Sequence, residues 1–211
     1  RPMKSDNFFS AAEKGRIEET IHGIESRTIG EIAVMVVERS DRYHEAEVLG
    51  GILTGSLIAL LVSTAWFHSI LWAYITFSIL FFFPARLLFE KFPRLQRGLI
   101  GRRRKELAVM ERAIRAFYEK ELHMTRRNSG ILFFISIMER KVWVLADKGI
   151  YEKIDQETLN DFARSVSEGI RQGQACDALC KAIREAGQLL ERYFPNTRDD
   201  MNELPNTVMT E

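Results

Sequence analysis

The sequence predicts an α/β three-layer sandwich, with a small mixed sheet between helices, interrupted by a two-helix transmembrane hairpin. Three observations carry that reading. Residues 48–85 hold no Asp, Glu, Lys or Arg, in a chain of 211 residues of which 28% are charged. The runs EIAVMVV (31–37), ILFFISI (131–137) and VWVLA (142–146) are of strand length and apolar enough to be covered on both faces. Segments of helical periodicity flank these runs. Because the strand at 31–37 is too apolar to stand alone, it must join the sheet formed by 131–146, and the chain between them must cross the bilayer an even number of times.

Residues 10–26 form the first predicted helix: Ser10 and Glu13 make a capping-box pattern, and Ile17, Ile21 and Ile24 recur at helical spacing. Thr28 to Gly30 ends it before the strand at 31–37. A bilayer core about 30 Å thick takes roughly 20 apolar residues as helix, so the uncharged stretch holds two spans, Val48 to Phe67 and Ile70 to Phe89, with His68-Ser69 as the turn. Trp66 and Trp72 flank that turn at the depth of an interfacial aromatic belt. A long helix over 98–124 follows, basic in its first half and apolar at Leu107, Met110, Ile114, Phe117 and Leu122. Asn128-Ser129-Gly130 breaks it, and residues 138–141 join the next two strands as a hairpin. Helices at 156–171 and 174–193 finish the domain, Pro195 stops the last, and a polar tail follows. The domain organisation expected is therefore 1–46 and 90–195 as two parts of one soluble domain, 47–89 as the hairpin, and 196–211 as the tail.

Charge fixes the expected orientation. Arg39 and Arg42 precede the first span; Arg86, Lys91, Arg94, Arg97, Arg102, Arg103, Arg104 and Lys105 follow the second; the turn has none. Lys- and Arg-rich flanks stay on the cytoplasmic side. The expected location is the inner membrane, multi-pass, with the soluble domain in the cytoplasm, and the run from Arg102 to Lys105 is placed to meet anionic headgroups. No cleavable signal peptide is expected, since the first long apolar stretch begins after about 45 residues that read as folded structure. A net charge of +1 argues against a dedicated nucleic-acid binder.

The stretches TIGEIAVMVV (28–37), TRRNSGILFFISIMERKVWVLADKGIYEKI (125–154), the segment 162–190 and YFPNTRDDMNELPN (193–206) together resemble the TPM-domain family, in its short membrane-anchored bacterial branch. The resemblance implies the same helix–sheet–helix sandwich. It also implies a divided functional record: phosphatase activity for some relatives, assembly, repair or receptor-accessory roles for others. Relatives credited with binding a divalent cation gather acidic residues at the loops at the end of the sheet, where this chain has Asn128 in place of a common acidic residue and Asp147 in place of a common glycine.

Loop-end carboxylates are the best enzymatic constellation: Glu31 opening the first strand, Asp147 closing the third, and Asp199, Asp200 and Glu203 in the tail, with Arg126 or Arg127 to hold phosphate. Asp147, Glu31 and Arg126 are the catalytic candidates, and Asp147, Asp199, Asp200 and Glu203 the metal candidates. Hard oxygen donors suit Mg or Ca, and such a metal beside an Arg would stabilise charge in phosphoester hydrolysis. Nucleotide-binding and hydrolase signatures are absent, the four histidines are scattered, and Cys176 and Cys180 are too few for a zinc site. No cofactor is expected unless the enzymatic reading holds. Gly51-x-x-x-Gly55 with Thr54, Ser56, Ala59 and Ser63 lets a second helix approach closely, either the other arm of the hairpin or a partner. The reading that results is a membrane-anchored, non-catalytic accessory or scaffold protein that docks on a membrane protein complex, with the bilayer as its other partner. The alternative is a divalent-metal-dependent phosphatase at the membrane surface.

Overall fold

The computed structural model describes residues 5–66, 70–125, 127–196 and 207–211. Its helices are α1 (Ala11–Glu25), α2 (His44–Trp66), α3 (Ile70–Lys91), α4 (Pro93–Leu99), α5 (Arg102–Glu119), α6 (Lys148–Tyr151), α7 (Gln156–Arg171) and α8 (Ala175–Tyr193). The strands are β1 (Glu31–Val37), β2 (Gly130–Ser136), β3 (Lys141–Ala146) and β4 (Met209–Thr210), in sheet order β3-β2-β1-β4. Two compact units result, one from residues 1–40 and 106–211, the other from residues 41–105.

In the first unit, β1 and β2 pair in parallel from Glu31↔Gly130 to Val37↔Ser136, and β2 and β3 pair antiparallel from Ile131↔Ala146 to Ser136↔Lys141. The sheet is mixed, and the union of the early strand with the later hairpin inferred from hydropathy is present. One face carries Ile32, Val34, Val36, Ile131, Phe133 and Ile135 against α1, α7 and α8. The other carries Ala33, Met35, Val37, Leu132 and Phe134 against Val109, Ala113, Ala116 and Phe117 of α5. That two-sided burial explains the unbroken apolar runs of β1 and β2, whereas β3, at the sheet edge, alternates buried and half-buried residues. Ser10 caps α1 as expected, its hydroxyl accepting from Glu13 N–H while the Glu13 carboxylate accepts from Ser10 N–H.

Two elements differ from the sequence expectation. The helix expected over 98–124 is broken at Ile100-Gly101 into α4 and α5, and its far end is a 3-10 turn at Leu122–Met124. The residues read as a polar tail return to the sheet: Met209 and Thr210 pair in parallel with Met35 and Val36. A two-residue strand has too few side chains to leave an apolar period.

In the second unit, α2 and α3 form a hairpin. Each is long and apolar enough to cross a membrane, with mean hydropathy 2.0 over His44–Ala65 and 1.6 over Leu71–Lys91. Gly51, Gly55, Ala59 and Ser63 are all buried and follow one another at intervals of four, which aligns them on one helix face. Gly55 is needed there: a Cβ would lie 3.0 Å from the backbone nitrogen of Phe82. The small-residue seam thus serves the hairpin's own second arm. Leu53, Leu57, Leu61, Leu71, Trp72, Ile79 and Phe83 point outward and are exposed. The expected turn at His68-Ser69 lies outside the described residues.

Candidate functional site

The parallel pairing of β1 with β2, and the antiparallel return of β3, place Glu31, Gly130 and Asp147 at one end of the sheet. With β2 between them, Glu31 and Asp147 stand on strands about 9–10 Å apart. Glu31 is buried and its N–H donates to the Ser129 carbonyl at 3.2 Å. Asp147 N–H donates to the Gly130 carbonyl at 2.9 Å. The Asp147 side chain caps α6, Oδ1 accepting from Lys148 N–H at 2.7 Å, while Oδ2 is buried without a hydrogen-bond partner among the described residues. The turn-forming role of this residue and its candidacy for chemistry are therefore both visible, on different oxygens.

The loop before β2 is built to hold this end. Thr125 Oγ1 accepts from Ser129 N–H at 2.9 Å, Ser129 Oγ donates to the Ile29 carbonyl at 3.1 Å, and Asn128 takes a left-handed conformation at φ 51°. Gly149 lets α6 press on that loop: a Cβ there would sit 2.4 Å from the Arg127 carbonyl oxygen. Glu25, at the end of α1, adds a carboxylate that sequence reasoning missed, Oε1 accepting from Ile32 N–H at 3.1 Å. Nothing in its helical context distinguishes it from a solvated helix residue.

Of the residues singled out from sequence, Glu31 and Asp147 lie at the same end of the sheet, with β2 between them. Arg127 is exposed beside them, and Arg126, Asp199, Asp200 and Glu203 lie outside the described residues. Among the described residues, no three His, Cys, Asp or Glu side chains gather as they would around a metal ion. Glu31 and Asp147 supply the hard oxygen donors that Mg or Ca prefers, but two carboxylates fall short of a six-oxygen shell. Cys176 and Cys180 are free and buried, and burial, with the neighbouring Cys180 thiol, pushes the Cys176 thiol up to about 11, a protonated and unreactive group.

A second polar constellation lies at the base of the hairpin. Arg104, in the first turn of α5, donates Nε to Glu45 Oε1 at 2.9 Å and Nη2 to Asp41 Oδ2 at 2.5 Å, and its guanidinium lies 5.4 Å from the centre of the buried Tyr43 ring. Burial raises the Asp41 carboxyl, but the Arg104 guanidinium and the Arg42 and Tyr43 amides outweigh it and hold the group below its ordinary value. Lys105 donates to the Arg97 carbonyl at 2.7 Å, and Gln96, fully buried on α4, donates to the Phe89 carbonyl at 2.9 Å. Two of the four basic residues expected to face headgroups, Arg104 and Lys105, are thus used within the unit, while Arg102 and Arg103 remain exposed.

The first unit is thus a mixed sheet sandwiched between helices, with Glu31 and Asp147 at the end where its parallel strands β1 and β2 begin. Residues 100–189 match the family model described as TPM domain. The NMR structure of BA42 protein from the psychrophilic bacterium Bizionia argentinensis is similar in fold, at TM-score 0.61 and 20% sequence identity over 97% of this chain and 96% of that one. No curated protein matches the chain.

Proposed function

We propose that this chain is a membrane-anchored TPM-domain accessory protein: α2 and α3 cross the inner membrane as a hairpin, and the TPM domain is held on the cytoplasmic side to dock on a membrane protein complex. The observation that carries the reading is the inverted packing of the hairpin. Gly51, Gly55, Ala59 and Ser63 are buried, while Leu53, Leu57, Leu61, Leu71, Ile79, Phe83 and Leu87 are turned outward; only 6% of the apolar window in Leu71–Lys91 is buried, where the core helix of a soluble protein would be covered. The Arg104 pairing supports a hairpin whose two ends share one side. Anchoring confines the domain to two dimensions and raises its effective concentration, so a modest docking surface suffices. Membranes washed in alkaline carbonate should retain the chain, protease added to the cytoplasmic face should digest the TPM domain, and native gels in mild detergent should place the chain in a larger assembly. A monomer on those gels would overturn the accessory role, and protection of the domain would overturn the orientation.

A second reading, a divalent-metal-dependent phosphatase, is favoured by the buried, unpartnered Oδ2 of Asp147 at the sheet end. Here Asp147 and Glu31 would hold the metal, which supplies Lewis-acid stabilisation of the phosphoester, and an adjacent arginine would orient phosphate. Turnover of a phosphoester by the full chain with Mg or Ca, lost in Asp147→Ala, would establish this reading. No turnover in the unsubstituted chain would dismiss it.

A further inference from the structure

We propose that α4 is an interfacial helix that, with the start of α5, binds the headgroups of anionic phospholipids. The inference rests on the membrane-anchored reading above and adds the class of lipid and the residues that select it. Between Arg86 and Lys105 the sequence carries eight basic residues and one acidic residue, Glu90. Arg104 is occupied by Asp41 and Glu45, and Lys105 by the Arg97 carbonyl, whereas Lys91, Arg102 and Arg103 stand exposed.

Geometry sets these charges beside apolar side chains rather than in open water. Pro93 at the first position of α4 ends α3 and redirects the chain, with Phe92 outside the helical region at φ −120° and ψ 80°. Gln96 turns one face of α4 inward and ties it to the Phe89 carbonyl. The outward face then presents Phe92 and Leu95, about half exposed, together with Arg94. Lys105 Nζ donates to the Arg97 carbonyl and so ties the first turn of α5, where Arg102 and Arg103 are exposed, to the end of α4. An apolar pair rimmed by cations directly after an apolar helix is the pattern of a segment lying at the headgroup boundary, where each basic side chain gains about fivefold in binding to an anionic surface.

The test uses the full chain in nanodiscs of mixed phosphatidylcholine and phosphatidylglycerol. A fluorophore on Leu95→Cys is selective because both native thiols are buried. Brominated phosphatidylglycerol should quench it more strongly than brominated phosphatidylcholine at equal mole fraction. The glycerol-to-choline ratio of lipids retained by the chain should fall at least about fivefold in K91E/R102E/R103E and in high salt, and persist in K91R/R102K/R103K. Equal quenching by the two lipids, or a preference unchanged by charge reversal and by salt, would overturn the proposal while leaving the anchor intact. Loss of the unsubstituted chain from the bilayer under carbonate would instead sink the anchored reading. Should the charge-reversed variant fail to insert, the salt and conservative arms still decide.

Discussion

Arg104 and Asp41 face one another as a charged hydrogen-bonded pair, the first lying just after the apolar hairpin and the second just before it. Glu45 joins from the first turn of α2. One guanidinium therefore fastens both ends of the hairpin. Asp41→Asn should lower stability by about 0.5–1 kcal/mol, and adding Arg104→Ala should cost less than the sum of the two, as a double-mutant cycle in detergent unfolding would read. The pH dependence has a definite sign. A carboxyl held below its ordinary value in the folded state contributes stability above about pH 4, its unfolded range, and loses it as pH falls through the depressed folded value. The acid limb should be shallower in Arg104→Ala.

Gly55→Leu should force the hairpin apart, because its side chain would meet the Phe82 backbone rather than a movable side chain. A loss of about 1–3 kcal/mol is expected by thermal unfolding in micelles. Gly98→Ala, with nothing within 4 Å of the added carbon, should be neutral or mildly stabilising.

Leu60 is exposed on the outer face of α2. Leu60→Arg should cost about 2.5–3.5 kcal/mol of membrane insertion, read as a lower inserted fraction in a translocation assay. Unchanged insertion would count against α2 as a span.

Ile183 on α8 is fully buried in the core over the sheet. Ile183→Ala should destabilise the chain by about 2–5 kcal/mol in chemical denaturation.

Cys176 should resist alkylation in the folded chain. With its thiol at about 11, only about one part in a thousand is thiolate at pH 8, and the buried sulfur is shielded besides. Mass spectrometry after iodoacetamide should find both cysteines unmodified until denaturant is added.

Most of the architecture was legible because its signals are collective. β1 matches its apolar run residue for residue, and both hairpin arms follow from a charge-free stretch that only burial or lipid can accommodate. The resemblance to TPM domains is borne out over residues 100–189. What escaped is local or long-range. The break at Ile100-Gly101 leaves only one glycine as a mark, β4 is two residues long, and Glu25 reaches Ile32 through tertiary geometry alone. Glu31 and Asp147 could be named from their places at strand ends, but their common edge required the strand order.

The parallel register of β1 with β2 sets an order of events during synthesis. β1 leaves the ribosome long before Gly130 to Ser136 exist, and the helices α2 and α3 must be disposed of in between. A strand apolar on both faces has to wait without its neighbour, a window in which it is open to wrong pairings. Biogenesis of this chain is thus tied to how quickly the intervening helices find their place, and slowing that step should expose the nascent amino-terminal segment to chaperones and proteases.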